Sequence, residues 1–175
     1  PILAEEASKR EIGPERGGLL LPDPRRPSVN ILQCLIASGK KNPSKNKEIE
    51  ICNIRGLEAL RSAELFTDED FTRFNVLRCA SQNLTPKRLE YLINLYPASL
   101  STPLPHGDYP IHISNYGIYE KKDQIQTFTT FLKYGMKHYA NKFGFLFKRN
   151  ALGERPIKQA IAHLGKKETL DIIQQ

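Results

Sequence analysis

The segment from Gly107 to Ser114, GDYPIHIS, constrains the fold of this chain more than any other. Glycine adopts positive φ angles without steric cost and aspartate bonds its own nearby backbone, so Gly107–Asp108 predicts a tight turn. Proline at a first helical position loses no hydrogen bond, so Pro110 predicts a helix start. The pattern Gly-x-x-Pro-Ile returns at Gly153, 46 residues later (153 − 107). The sequence therefore predicts two equivalent turn-to-helix junctions, whose structural residues are Gly107, Pro110, His112, Gly153 and Pro156.

Amphipathic helices are predicted on both sides of these junctions. Apolar residues three or four positions apart predict helices over residues 48–66, 86–96, 124–139 and 154–164, and a further helix that begins at Leu170. Ser28 is expected to cap a helix that ends at Gly39, and Thr67 is expected to cap another. The predicted fold class is all-α.

The helix start Tyr109–Pro110–Ile111–His112 resembles, in divergent form, the Thr-Pro-Leu-His start of ankyrin repeats. The helix end at Leu95–Tyr96–Pro97 is similar to the end of the second helix of such a repeat. The resemblance covers residues 74–175 and implies a stack of helical hairpins. In that family the histidine bonds backbone groups of neighbouring repeats, which implies a structural role for His112. The spacing of 46 residues exceeds the family unit of about 33 and resembles a long-repeat variant, with the extra length in residues 136–150.

The N-terminal region has a different character. Residues 1–27 contain five prolines and three glycines, so we expect an extended arm there and an ankyrin-like helical repeat domain over residues 28–175. An ungapped comparison of residues 17–40 with residues 143–166 gives six identities, which favours a further copy of the repeat near the N-terminus. The apolar run in the arm is expected to bind a partner, through Leu19, Leu20 and Leu21.

Positive charge is concentrated towards the C-terminus. The net charge is +7, and no acidic residue lies between Gln124 and Gly153. A basic surface favours nucleic acid, acidic proteins or anionic lipid as partners. Cations that alternate with aromatic residues can contact phosphates while the rings stack on bases. The alternative is an ordinary solvated helix face, with Phe145 and Phe147 alternating as in a packed strand. The candidate anion-binding residues are Lys133, Lys137, His138, Lys142, Lys148 and Arg149.

No catalytic or metal-binding motif occurs in the sequence. Nucleophile-elbow, phosphate-loop and dinucleotide patterns are missing, and the four histidines lack the spacing of metal ligands, so we expect no catalysis, cofactor or metal. No run of 18 apolar residues predicts a transmembrane segment. The three cysteines lie far apart, which predicts buried thiols in a reducing intracellular compartment. Because the chain begins with Pro1, a removed targeting peptide and an organellar location stay open.

These features predict a non-catalytic protein–protein interaction module. We expect it to serve as an accessory or structural subunit of a larger assembly, with other protein subunits as partners. The alternative is a basic accessory protein that contacts RNA, such as a subunit of an organellar ribosome. Cations of residues 40–47 and 133–149 on one face would favour the RNA interpretation, and scattered cations would favour the protein interpretation.

Overall fold

The computed structural model describes residues 19–24, 26–37, 46–74, 76–77, 86–104, 107–113, 120–139, 141 and 144–174. The chain divides into two compact units between Arg88 and Leu89, and each unit is described separately. The described residues are mostly helical, which confirms the predicted all-α class, and one two-stranded hairpin is the exception among them. None of the described helices has the length and apolar character needed to cross a membrane.

The first unit opens with a short antiparallel hairpin. Strand β1 (Pro22–Asp23) pairs with strand β2 (Arg26–Asn30), and helix α1 (Ile31–Ala37) follows directly. The Leu32 N–H donates to the Leu19 carbonyl at 3.0 Å, so the hairpin folds back on the start of the helix. Residues 1–18, most of the predicted arm, lie outside the described residues.

Helix α1 begins later than predicted. Ser28 lies within β2, so the expected cap at Ser28 is wrong. Asn30 and Gln33 form the cap instead. The Gln33 N–H donates to Asn30 Oδ1 at 2.8 Å, and the Asn30 N–H donates to Gln33 Oε1 at 2.9 Å. This reciprocal pair satisfies two backbone donors that the helix start leaves without partners.

The predicted helix over residues 48–66 ends early because of one backbone angle. Helix α2 spans Asn46–Ser62, and Glu64 adopts a left-handed φ of 57°. The Glu64 N–H then donates to the Arg61 carbonyl and the Leu65 N–H to the Leu60 carbonyl, both at 2.9 Å. This is the Schellman arrangement, which normally places glycine at the left-handed position.

Helix α3 (Asp68–Arg73) begins where Thr67 predicted it. The Thr67 N–H donates to Asp70 Oδ2 at 2.8 Å, which is the return half of a capping box. The Gln33 side chain reaches from α1 to this region and donates to the Phe74 carbonyl at 2.8 Å. The described core of the first unit is apolar and consists of Leu19, Leu32, Ile36, Leu57, Leu65, Phe66, Phe71, Val76 and Leu77.

The second unit contains the helices predicted from apolar spacing, although the last begins at Lys166 rather than at Leu170. Its elements are α4 (Pro86–Leu95, which begins in the first unit), a 3-10 helix (Pro97–Ser101), α5 (Pro110–Ile113), α6 (Lys121–His138), a second 3-10 helix (Gly144–Phe147), α7 (Pro156–Leu164) and α8 (Lys166–Gln174). The predicted strand-like alternation of Phe145 and Phe147 is wrong. The 3-10 helix buries the consecutive residues Phe145 and Leu146, and Phe147 is half exposed.

A close approach joins α6 to the second 3-10 helix. A Cβ atom added to Gly135 would lie 2.4 Å from the Phe145 ring, so only glycine fits at this point of α6. Phe145 is buried there and also stacks on Tyr139, with 5.5 Å between the ring centroids. The described core of this unit includes Leu92, Ile93, Phe128, Phe131, Leu146, Ala160, Leu164 and Ile172.

The internal match of residues 17–40 with 143–166 does not extend to packing. Leu32 and Ile36 are fully buried in α1. Their counterparts in α7, Lys158 and Ala162, are exposed. The two helices therefore bury different faces, although their sequences align.

Candidate interaction surface

The first predicted junction is a tight loop closed by its own backbone. The Leu104 N–H donates to the Asp108 carbonyl, and the Gly107 N–H donates to the Leu104 carbonyl, both at 2.7 Å. Gly107 has a φ of +78°, a conformation that side chains with a Cβ rarely adopt. Pro110 is buried and begins α5 directly after this loop.

The second junction repeats these bonds 46 residues later. The Asn150 N–H donates to the Glu154 carbonyl at 2.9 Å, and the Gly153 N–H donates to the Asn150 carbonyl at 3.0 Å. Gly153 has a φ of +75°, and Pro156 begins α7. The buried Asn150 adds bonds of its own, because its Oδ1 accepts from the N–H groups of Leu152 and Glu154. Sequence reasoning missed Asn150, since a lone asparagine in a loop is a weak signal.

The two junctions contact each other directly. Asn150 Nδ2 donates to Asp108 Oδ1 at 2.7 Å. A Cβ atom added to Gly107 would lie 2.5 Å from the Cβ of Ala151, so Gly107 permits close approach as well as a positive φ. The recurrence in the sequence thus corresponds to two equivalent loops in contact.

His112 joins the two junctions from within. Its side chain is fully buried, and the Tyr109 N–H donates to Nδ1 at 3.1 Å. This bond leaves the proton on Nε2, which donates to the Glu154 carbonyl at 3.3 Å. Burial lowers the pKa of His112, and the nearby Asp108 and Glu154 oppose that change only in part. The neutral imidazole therefore bonds backbone groups of both junctions.

Two of the predicted cations lie one helical turn apart on the exposed face of α6. Lys133 Nζ is 3.4 Å from Glu90 Oε1, and Lys137 Nζ is 3.5 Å from Asn94 Oδ1. Glu90 and Asn94 are likewise one turn apart, on α4. Sequence reasoning did not find these two partners, because they precede the lysines by 43 residues in the chain.

A buried tyrosine lies beneath these lysines. The Nζ atoms of Lys133 and Lys137 lie 5.3 and 5.6 Å from the centre of the Tyr134 ring. The His138 ring stacks on the same ring, with 6.2 Å between centroids and 14° between planes. The Tyr134 hydroxyl accepts a hydrogen bond from Asn94 Nδ2 at 3.2 Å. We call the side chains of Lys133, Lys137 and His138 around this ring the Tyr134 cation cluster, after its two lysines.

Lys148 lies over two other tyrosine rings. Its Nζ is 4.7 Å from the centre of the Tyr109 ring and 5.6 Å from that of Tyr139. Burial raises the pKa of Tyr139 to about 12, although the nearby Ser101 side chain opposes the change. Tyr139 is therefore neutral at physiological pH. Of the remaining predicted cations, Arg149 donates to the Gly153 carbonyl at 3.3 Å, and Lys142 lies outside the described residues.

The aromatic rings of this segment are largely occupied by other side chains. Tyr134 and Phe145 are buried, and Tyr139 packs between Phe145 and the Lys148 ammonium. Phe147 is 50% exposed. Stacking of bases on successive rings, which single-stranded nucleic acid requires, is therefore not available at the buried rings.

The predicted partner-binding run has mixed exposure. Leu19 is buried in the core of the first unit, Leu20 is half-buried, and Leu21 is 40% exposed. Because Leu19 packs within its own unit, Leu21 is the member of this run that offers the most apolar surface to a partner.

The cysteines and acidic residues form no metal site in the part of the chain that the structure describes. Cys52 is exposed, so the prediction of a buried thiol is wrong for this residue, and Cys34 is half-buried. Cys79 and His106 lie outside the described residues.

Comparisons with protein-family models, curated protein sequences and solved structures find no match for this chain.

Proposed function

We propose that this chain is a non-catalytic protein–protein interaction module and serves as an accessory or structural subunit of a larger assembly. We also propose that residues 74–175 form an ankyrin-like stack of helical hairpins. The observation that supports both proposals is the pair of equivalent junctions, 46 residues apart, that contact each other through Asp108, Asn150 and His112. Stacked units of this kind present extended surfaces to partners.

Exposed apolar side chains near the second junction support a binding role. Phe147 is 50% exposed and Leu152 is 79% exposed. They flank Asn150, whose bonds hold the loop in one conformation. A rigid loop with exposed apolar groups loses little conformational entropy when a partner covers it. This combination suits recognition of another protein surface.

The bonding of His112 favours a structural role over catalysis. A general base needs contact with a substrate, whereas this imidazole is fully buried and bonds two backbone groups. The fully buried imidazole of His112 therefore holds the two junctions together.

Affinity capture from native lysate, at low and at raised salt and with and without nuclease, tests the proposal. The full chain is compared with the double variant Phe147→Ser/Leu152→Ser and with Ala162→Ser, a control at another exposed site. We expect a stoichiometric protein partner that survives nuclease and salt, binds the control equally and is lost from the double variant.

Two results would contradict the proposal. Binding that collapses with nuclease and falls steeply with salt would favour the RNA alternative, because phosphate contacts carry that salt dependence. Capture of no specific partner by the folded full chain would contradict an interaction role.

A further inference from the structure

We propose that the surface formed by α4 and the Tyr134 cation cluster of α6 binds an acidic segment of the partner protein. This inference rests on the proposed function and specifies the chemistry of its partner. The proposed contact surface surrounds the Tyr134 ring and consists of the side chains of Lys133, Lys137, His138 and Asn94.

Among the described residues, this surface has more lysine ammonium groups than carboxylates to pair with them. No acidic residue occurs between Gln124 and Gly153, so α6 beyond its first turn supplies no carboxylate. Glu90 of α4 reaches Lys133 at 3.4 Å, whereas Lys137 meets the neutral amide oxygen of Asn94 at 3.5 Å. An incoming carboxylate therefore forms an ion pair with Lys137 that the neutral amide oxygen cannot supply.

The lysines are positioned before a partner arrives. Both ammonium groups lie within 6 Å of the Tyr134 ring centre, and the ring is held in place by burial and by the bond from Asn94. The attraction of an ammonium group to an aromatic ring restricts the side chain. Restricted side chains lose less entropy on binding, which favours affinity for a segment whose charges match their spacing.

The surface suits carboxylates better than RNA. The ring that would stack a base is buried, and the Lys133 and Lys137 ammonium groups and the His138 ring already lie close to it. The Glu90 carboxylate lies within the same surface, with 35% of its side chain exposed, and repels a continuous phosphate backbone. A protein segment can place its carboxylates at the lysines and its uncharged polar groups beside Glu90.

The test compares binding of a short oligo-glutamate peptide with binding of an oligo-uridine RNA of equal charge, measured by fluorescence anisotropy on the full chain. Lys133→Gln/Lys137→Gln is the test variant. Lys158→Gln/Lys166→Gln, which removes the same charge from exposed positions of α7 and α8, is the control. We expect the test variant to weaken peptide binding roughly 3- to 30-fold and the control to change it less than about twofold.

Three results would overturn the inference. Equal weakening by both double variants would show non-specific attraction to net charge. Tighter binding of the RNA than of the peptide, lost in the test variant, would assign the surface to RNA. A protein partner captured equally by the wild type and by Lys133→Gln/Lys137→Gln would leave the proposed function in place and contradict this surface. Circular dichroism establishes that both variants stay folded.

Discussion

Replacement of His112 by alanine is expected to destabilise the second unit by about 3 kcal/mol. The imidazole is fully buried and makes two hydrogen bonds, to the Tyr109 N–H and the Glu154 carbonyl. Each bond contributes about 1 kcal/mol, and without the imidazole the partly buried Tyr109 N–H has lost its acceptor. The cavity left by the ring adds about 1 kcal/mol or more.

Urea denaturation measured by circular dichroism gives the global effect, and amide hydrogen exchange gives the local one. The Gly153 N–H, which donates to the Asn150 carbonyl, reports on the second junction. A loss of about 3 kcal/mol corresponds to about 100-fold faster exchange of this amide, provided that it exchanges through unfolding of the unit. His163→Ala is the matched control, since His163 is exposed on α7 and its removal should change stability by less than about 0.5 kcal/mol.

The reasoning would be refuted if His112→Ala and His163→Ala had equal stability and unchanged exchange at Gly153. That result would mean that the contact between the junctions does not depend on the imidazole. The Asp108–Asn150 bond and the packing of Gly107 on Ala151 would then hold the loops by themselves.

Three further predictions concern the pH dependence of stability and substitutions at three backbone positions. Because burial lowers the pKa of His112 from 6.5, the stability that this residue contributes is complete above about pH 6.5 and is lost as the pH falls through the lowered pKa. His112→Ala should therefore flatten the acid limb of a curve of stability against pH, and an unchanged acid limb would contradict this. In urea titrations, Gly135→Ala should destabilise the protein by about 1–3 kcal/mol because the added Cβ would meet the Phe145 ring. Gly56→Ala has open space around it and should stabilise the protein by about 0.5–1 kcal/mol, and equal effects of the two variants would refute the packing argument. Glu64→Gly should stabilise the first unit by about 0.5–1 kcal/mol and so raise its urea midpoint, because glycine adopts the left-handed φ without strain. A lower urea midpoint would contradict this.

Local signals in the sequence predicted the helices of the second unit well. Pro86, Pro110 and Pro156 each begin a helix in the structure, because a proline at the first helical position acts through its own ring and missing N–H. Apolar spacing predicted α6, although the helix begins at Lys121 rather than at Gln124, since the polar first turn carries no apolar stripe.

The errors occur where distant residues decide the local conformation. Ser28 is a good capping residue, yet pairing with β1 places it in a strand and moves the cap to Asn30. Phe145 alternates with Phe147 as in a strand, yet the cleft at Gly135 accepts the Phe145 ring from a 3-10 helix. In each case a contact outside the predicted segment outweighs its local preference.

The candidate surface also combines features that local sequence predicted with contacts that it did not predict. The sequence placed Lys133, Lys137 and His138 on one helix, and α-helical spacing brings Lys133 and Lys137, four positions apart, close together. It did not indicate that Glu90 and Asn94 lie beside them, nor that the lysines cover the Tyr134 ring. Those contacts are the basis on which we propose carboxylates, rather than a stacked nucleic acid, as the ligand of this surface.

The sequence by itself therefore determined the helical class, the two junctions and the concentration of positive charge, because turn chemistry, apolar period and composition depend on residues close in the chain. The tertiary structure alone decided that the two junctions contact each other through Asn150 and His112, and that Lys137 meets Asn94. Those outcomes depend on pairs 42 or 43 residues apart, and no local pattern specifies which distant groups will meet.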